Sequence, residues 1–229
     1  MEASDAIRRI EVRGQVKSCR GCGLREIANE PVPFRGPSPT SIAIVGEAPG
    51  KIEDAVGEPF RGPSGELLES ILLDQRYNLS QLAYLNAVCC FPDRTPTAGE
   101  IVACSGNLKR QLEVLDCRYV LALGGVALNA LRGGNHRIGE VRGIFWHAQM
   151  DGLDNPPWVL ATWHPAAALR NRSLEEQMRG DIAYFGLIAE QEISNDLMLG
   201  QFCIKCGNPV VDYHYEIPYC ETHKPRAIS

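Results

Sequence analysis

An apolar run that ends in a glycine-rich loop constrains the fold more than any other feature of the sequence. Residues 42 to 45 are all apolar and mostly β-branched. Such a run predicts a strand buried on both faces, as in a parallel sheet. The chain then turns at Gly46, and Pro49 and Gly50 follow. Because open α/β sheets bind ligands beyond the carboxyl ends of their strands, we expect a functional site in this loop.

The rest of the chain alternates between predicted strands and predicted helices. Further strands are expected at 84–88, 119–123 and 158–162, with a weaker segment near 144–146. Helical patterns lie between them, and two helices carry capping-box sequences, Thr97 to Glu100 and Ser173 to Glu176. The alternation predicts a three-layer α/β/α fold around a four-stranded, mainly parallel central sheet.

Length and composition predict one large domain, residues 1–200, and a small module, residues 201–229. The 229 residues are 45% hydrophobic, enough to bury a core, and no apolar run is long enough to cross a membrane. We therefore expect a soluble, intracellular, cytoplasmic monomer, associated with the nucleoid if it acts on DNA. The net charge of −5 argues against broad coating of nucleic acid but leaves room for a local basic patch.

The nine cysteines are spaced like metal ligands. Cys19 and Cys22 form a C-x2-C pair, and Cys90 and Cys104 follow in mid-chain. In an intracellular chain such spacing indicates a metal more often than disulfides. Four thiolates suit an iron–sulfur cluster, and on spacing alone they suit Zn²⁺ equally well.

A second group of ligand-type residues lies in the C-terminal module. Cys203 and Cys206 form one pair, and Cys220 and His223 form another. So short a segment cannot bury a hydrophobic core of its own. We therefore expect a Zn²⁺ knuckle.

Three polar side chains follow or end different predicted strands. Glu47 comes after the first strand, Asn86 lies in the second, and His164 follows the last. Parallel strands end at one edge of a sheet, so a carboxylate, an amide and an imidazole should converge there. Such a set suits polar recognition and catalysis.

Taken together, these motifs resemble the family 4 uracil-DNA glycosylases, the iron–sulfur members of their superfamily. The resemblance spans roughly residues 15–190, from the cysteine pair to the His164-Pro165 motif. It implies catalytic roles for Glu47 and His164, and contacts with the base by Ala48, Glu53, Phe60 and Asn86. Contacts with DNA are implied for Gly62, Ser64, Gly65, Leu169 and Arg170. The implied ligands of a [4Fe–4S] cluster are Cys19, Cys22, Cys90 and Cys104.

The resemblance implies a monofunctional glycosylase that hydrolyses the bond between uracil and deoxyribose in DNA. His164 would donate to the uracil O2 as negative charge develops there, and Glu47 would orient water and favour the cationic sugar. Glu53 would line the pocket or form a salt bridge. The alternatives are a glycosylase for another modified or deaminated base, and an inactive DNA-binding iron–sulfur protein.

The sequence departs from the family pattern in several places. Ala166 replaces the usual serine after the His-Pro pair, and the segment between Cys90 and Cys104 looks slightly short. Cys89, beside Cys90, leaves the third cluster ligand open between the two. The C-terminal module lies outside the family pattern, and we expect it to contact DNA or a protein through Tyr213, Tyr215 and Lys224.

Overall fold

A five-stranded sheet forms the centre of the protein. The computed structural model describes residues 2–194 and two further segments, 212–214 and 217–219. The strands of the sheet are β1 (Ile42–Gly46), β2 (Leu82–Asn86), β3 (Tyr119–Leu123), β4 (Phe145–His147) and β5 (Trp158–Thr162). Their order is β2-β1-β3-β5-β4. Four strands are parallel, as predicted, and β4 adds an antiparallel fifth strand beside β5.

Helices cover both faces of this sheet. They are α1 (Glu2–Lys17), α2 (Lys51–Val56), α3 (Pro63–Asp74), α4 (Ala98–Leu115), α5 (Gly124–Arg132), α6 (Ile138–Val141), α7 (Pro165–Ala168) and α8 (Arg172–Ser194). Two 3-10 turns, Gly23–Glu26 and Leu79–Gln81, complete the described elements of this part.

Two apolar cores result, one on each face of the sheet. On one face, Val120 packs in a cluster with Leu108 of α4 and Leu128 of α5. On the other face, Leu121 packs in a cluster with Leu68 of α3 and, on α8, Phe185. Neighbouring residues of β3 therefore serve opposite cores, which explains why the central strands are apolar throughout. The predicted three-layer architecture is confirmed.

Local details differ from the sequence-based expectations. Helix α2 is absent from the sequence-based prediction. Strand β2 begins and ends two residues earlier than predicted, and Asn86 is therefore its last residue. The capping box at Thr97 is confirmed, since its hydroxyl accepts the N–H of Glu100. The one predicted at Ser173 is wrong, because α8 begins at Arg172 and the Asn171 side chain accepts the Ser173 N–H at 3.0 Å.

The C-terminal module is described only in part. Strands β6 (Asp212–His214) and β7 (Ile217–Tyr219) pair antiparallel, with Asp212 opposite Tyr219. The four predicted zinc ligands lie outside the described residues: Cys203, Cys206, Cys220 and His223. None of the described helices is both long and apolar enough to cross a membrane.

Candidate active site

A cavity of about 340 Å³ lies at the carboxyl edge of the sheet, beside the ends of β2 and β5. The loop after β1, the segment leading into α3 and the start of α7 complete its wall. Its lining residues are Ala48, Gly50, Lys51, Ile52, Glu53, Phe60, Gly62, Pro63, Ser64, Asn86, His164 and Ala166. The structure thus brings together most of the predicted site residues, although they come from three distant parts of the sequence.

Gly46 allows two of these side chains to meet at the end of β1. A Cβ atom on Gly46 would lie 2.5 Å from Oδ1 of Asn86 and 2.6 Å from Cζ of Phe60. Both contacts are closer than real Cβ atoms tolerate. Phe60 itself has a φ of +57°, unusual for an aromatic residue, and a Cβ on Gly65 would clash with the carbonyl oxygen of Phe60. Two glycines therefore let the aromatic ring and the amide share one wall.

The hydrogen bonding of His164 defines its tautomer. Its Nδ1 lies 3.1 Å from the backbone N of Ala166, and an N–H can only donate. Nδ1 is therefore unprotonated, and the neutral ring carries its proton on Nε2. Burial and, to a lesser extent, the nearby charge of Arg170 lower the pKa of His164 to about 4, against a smaller opposing effect of Glu53. The imidazole is thus a neutral donor at physiological pH.

The carboxylate of Glu53 is bonded to backbone amides. Oε2 accepts the N–H of Gly50 at 3.0 Å, and Oε1 accepts those of Arg61 and Gly62 at 2.9 and 2.7 Å. Glu53 is buried and forms part of the cavity wall. Of the two roles considered for it, the structure supports wall formation, with backbone amides in place of a salt-bridge partner.

The same bonds bear on the predicted phosphate site before α3. The N–H of Gly62 donates to Glu53, and the N–H of Gly65 donates to the carbonyl oxygen of Gly62 at 2.8 Å. Both amides therefore already have acceptors within the protein, and the expected phosphate contacts of Gly62 and Gly65 stay predictions. Ser64 lies on the cavity wall.

Three other predicted residues lie at the edge of the site. Glu47 is partly buried directly after β1, and burial raises the pKa of its carboxyl, but its side chain is not among the described residues that line the cavity. Leu169 and Arg170 follow α7 on the surface, and Leu169 is 52% exposed. An apolar and a cationic side chain therefore lie on the surface five and six residues beyond His164.

The comparison with known proteins identifies the family. The profile of the uracil DNA glycosylase superfamily matches residues 33–184. The chain belongs to this superfamily. It is 34% identical over 176 residues to the type-4 uracil-DNA glycosylase of Pyrobaculum aerophilum, covering 74% of this chain and 89% of that protein. The type-4 enzyme of Thermotoga maritima is 36% identical over 167 residues, 72% of this chain and 84% of the relative. The predicted resemblance is confirmed.

The cysteines predicted to hold the iron–sulfur cluster of this glycosylase superfamily member surround one small cavity. Cys19, Cys22, Cys89, Cys90 and Cys104 all line it. Several N–H groups point at their sulfurs: Asn107 Nδ2 to Cys19 at 3.2 Å, Gly21 N to Cys19 at 3.4 Å, and Cys89 N to Cys104 at 3.3 Å. No group of three or more His, Cys, Asp or Glu side chains among the described residues is placed to hold a single metal ion.

The surroundings of the two adjacent cysteines differ. Burial and, to a lesser extent, the neighbouring Cys104, Cys22 and Cys19 raise the pKa of Cys90 to about 12. Cys90 therefore lies within electrostatic range of all three other predicted ligands. Cys89 is instead hydrogen-bonded to Cys104, and this bond and burial raise the pKa of Cys89. The Cys89 sulfur also accepts from Nε2 of Gln111 at 3.5 Å. The two adjacent cysteines thus line the same cavity in different surroundings.

The sequence analysis missed several residues that line the cavity. Lys51, Ile52 and Pro63 line the cavity but were not selected. A lysine directly after a glycine-rich loop was a usable signal for a residue near an anionic substrate. The close approach at Gly46 depends on side chains far along the chain, so no local pattern could reveal it.

Proposed function

We propose that this chain hydrolyses the N-glycosidic bond of uracil in DNA and leaves an abasic site with the strand intact. The observation that carries the proposal is the convergence of Asn86, Phe60 and the neutral imidazole of His164 on one cavity. The type-4 relatives share this chemistry by name. DNA is therefore the proposed partner, and the genome the proposed place of action.

The leaving group is stabilised by His164. As the bond to the sugar breaks, negative charge moves onto the uracil O2, where a donor is worth most. Because Nδ1 accepts the Ala166 N–H, the proton on Nε2 is available to that oxygen. A neutral donor does not attract the phosphates of intact DNA as an imidazolium would. It therefore stabilises the transition state more than the bound substrate.

Asn86 and Phe60 recognise the base. An enzyme acting on a base must first extrude it from the duplex into a pocket. The Asn86 amide offers a donor and an acceptor for the Watson–Crick edge, and Phe60 offers a ring for stacking. Both line the cavity and meet over Gly46, so a base that stacks on the ring lies within reach of the amide.

Glu47, Leu169 and Arg170 complete the proposed machinery. Glu47 follows β1 at the same sheet edge, where a carboxylate orients the attacking water and favours positive charge on the sugar. The exposed Leu169 enters the space that the extruded base leaves, and Arg170 binds a neighbouring phosphate.

A labelled oligonucleotide with a single uracil, treated with the purified protein and then with alkali, tests the proposal. We expect strand cleavage only after alkali, and His164→Ala should lower the rate by about 10²–10³, the scale for one such donor. The double variant Glu47→Gln/His164→Ala, purified identically, controls for contaminating host enzymes. No cleavage by a folded protein would contradict the proposal, and cleavage only at hydroxymethyluracil or hypoxanthine would reassign the substrate.

We further propose that Cys19, Cys22, Cys90 and Cys104 hold a [4Fe–4S] cluster. A four-iron cluster takes one thiolate per iron, and its sulfurs accept N–H bonds of the kind seen here. When bound, the cluster would cross-link the segment after α1 to α4 and to the loop after β2. Its role is structural.

The purified protein should then be brown and contain iron. Cys90→Ser should remove colour and iron, whereas Cys89→Ser, the adjacent control, should retain both because Cys89 is not one of the four proposed ligands. The reverse result would move the third ligand to Cys89.

A further inference from the structure

Side chains of α8 hold the two residues that precede His164. Thr162 is fully buried, and its hydroxyl donates to Oδ2 of Asp181 at 2.5 Å. The indole N–H of Trp163 donates to Oε1 of Gln177 at 3.0 Å. Gln177 and Asp181 are four residues apart and so share one face of the helix. Together these two bonds form what we name the α8 clamp.

Arg142 fixes the clamp from a third element. Its Nε and Nη2 donate to the two carboxylate oxygens of Asp181 at 3.0 and 2.8 Å, and Nη2 also donates to the carbonyl oxygen of Gln177 at 3.1 Å. Such two-pronged pairs restrict geometry as well as adding energy. Asp181 is only 7% exposed, so its orientation is fixed by protein groups.

The clamp lies behind the site and takes no part in the chemistry proposed above. Thr162, Gln177 and Asp181 are not among the described residues lining the cavity. Stability alone is a weak reason for a buried ion pair, since apolar replacements of such pairs are often neutral or stabilising. What distinguishes this pair is its attachment to the strand end that leads directly into the imidazole.

We infer that Thr162 is a positioning residue for His164, held by Asp181 so that the imidazole directs its Nε2–H at the uracil O2. The inference rests on the proposed function. A Cβ on Gly124 would lie 3.0 Å from Cβ of His164, so the histidine packs closely against the start of α5 as well as following the clamped end of β5. A small displacement of this ring weakens a contact that matters only during bond breaking.

Thr162→Val tests the inference because it removes the hydroxyl with little change of shape. We expect the single-turnover rate on uracil DNA to fall about tenfold. KM should stay nearly unchanged, because a displaced imidazole weakens a contact that forms during bond breaking rather than on substrate binding. Thr162→Ser should restore the rate. Thr40→Val is the matched control. Thr40 is also buried, and its hydroxyl donates to the carbonyl oxygen of Gln81 at 2.6 Å, but it lies just before β1, at the amino ends of the parallel strands. It should lower only the melting temperature.

A double-mutant cycle separates positioning from general support. If Thr162 acts through the imidazole, Thr162→Val should cause no further loss in a His164→Ala background. Should Thr162→Val fail to fold, Trp163→Phe removes the other bond of the clamp at a half-buried site and should show the same dependence on His164.

An unchanged rate in the folded variants, or an equal fold-loss without His164, would overturn the inference alone. A parent protein that cannot excise uracil would overturn the proposed function as well, so the two failures are distinguishable.

Discussion

His164 shows how a short turn sets the chemistry of one side chain. Its Nδ1 is occupied by the Ala166 N–H, and burial lowers its pKa from 6.5 to about 4. The ring is therefore neutral at physiological pH. Ala166 stands where the family usually has a serine, but it donates to Nδ1 through its backbone N–H. The alanine therefore leaves the tautomer of the histidine unaffected.

The excision rate should therefore show no inflection near pH 6.5. Its acid limb should belong to Glu47, whose pKa is raised above 4.5 by burial and whose carboxylate must be ionised to act. A single-turnover profile between pH 4 and 8 checks this. An inflection near pH 6.5 that disappears in His164→Gln would contradict it.

The same shift affects stability. An unfolded histidine binds a proton below pH 6.5, whereas folded His164 does so only near pH 4. The unfolded state therefore binds more protons in this interval, and the free energy of unfolding falls as the pH drops from 6.5 to 4. Denaturant melts at several pH values should show this slope reduced in His164→Gln.

At the scale of elements, the carboxylate of Glu53 joins the start of α2 to the segment that leads into α3. Glu53→Ala would leave three backbone N–H groups without their partner, each costing about 1–3 kcal/mol if it stays buried. We expect a large fall in melting temperature and a rise in KM, because these segments form one wall of the cavity. Glu53→Gln, which keeps one carbonyl acceptor, should lose less.

Asp54→Ala is the neighbouring control. Asp54 accepts from the backbone and side chain of Asn29 in an exposed setting, so its loss should matter little. Equal effects of Glu53→Ala and Asp54→Ala would contradict the assigned role of Glu53.

The elements that the sequence did not predict share a physical cause. The strands at β1, β3 and β5 follow from apolar runs that any parallel sheet would bury. Helix α2 is only six residues long between two glycines, too short to show a helical period. The partners of Glu53 and of Thr162 are distant in sequence, and such contacts exist only once the chain has folded.

At the scale of the whole molecule, the superfamily match ends at residue 184, and the predicted catalytic, base-binding, DNA-binding and cluster residues all lie before that position. Truncation after Gly200 should therefore leave a folded core that excises uracil from a short oligonucleotide. We propose that residues 201–229 hold one Zn²⁺ through Cys203, Cys206, Cys220 and His223.

Zinc content, melting temperature and excision should be compared for the full and truncated chains. The full chain should bind one zinc more and bind DNA or a partner more tightly, through Tyr213, Tyr215 and Lys224. A truncated chain that cannot fold would show that the module belongs to the catalytic domain.

The edges of the central sheet carry a consequence for how the protein behaves in concentrated solution. The outer side of β2 is met by Arg35, which exchanges two backbone bonds with Tyr84, and the opposite edge strand, β4, has only three residues. Long, bare strand edges are what allow one chain to template aggregation of the next. With one edge bridged and the other shortened, this sheet offers little to template, and the protein should resist forming β-linked aggregates.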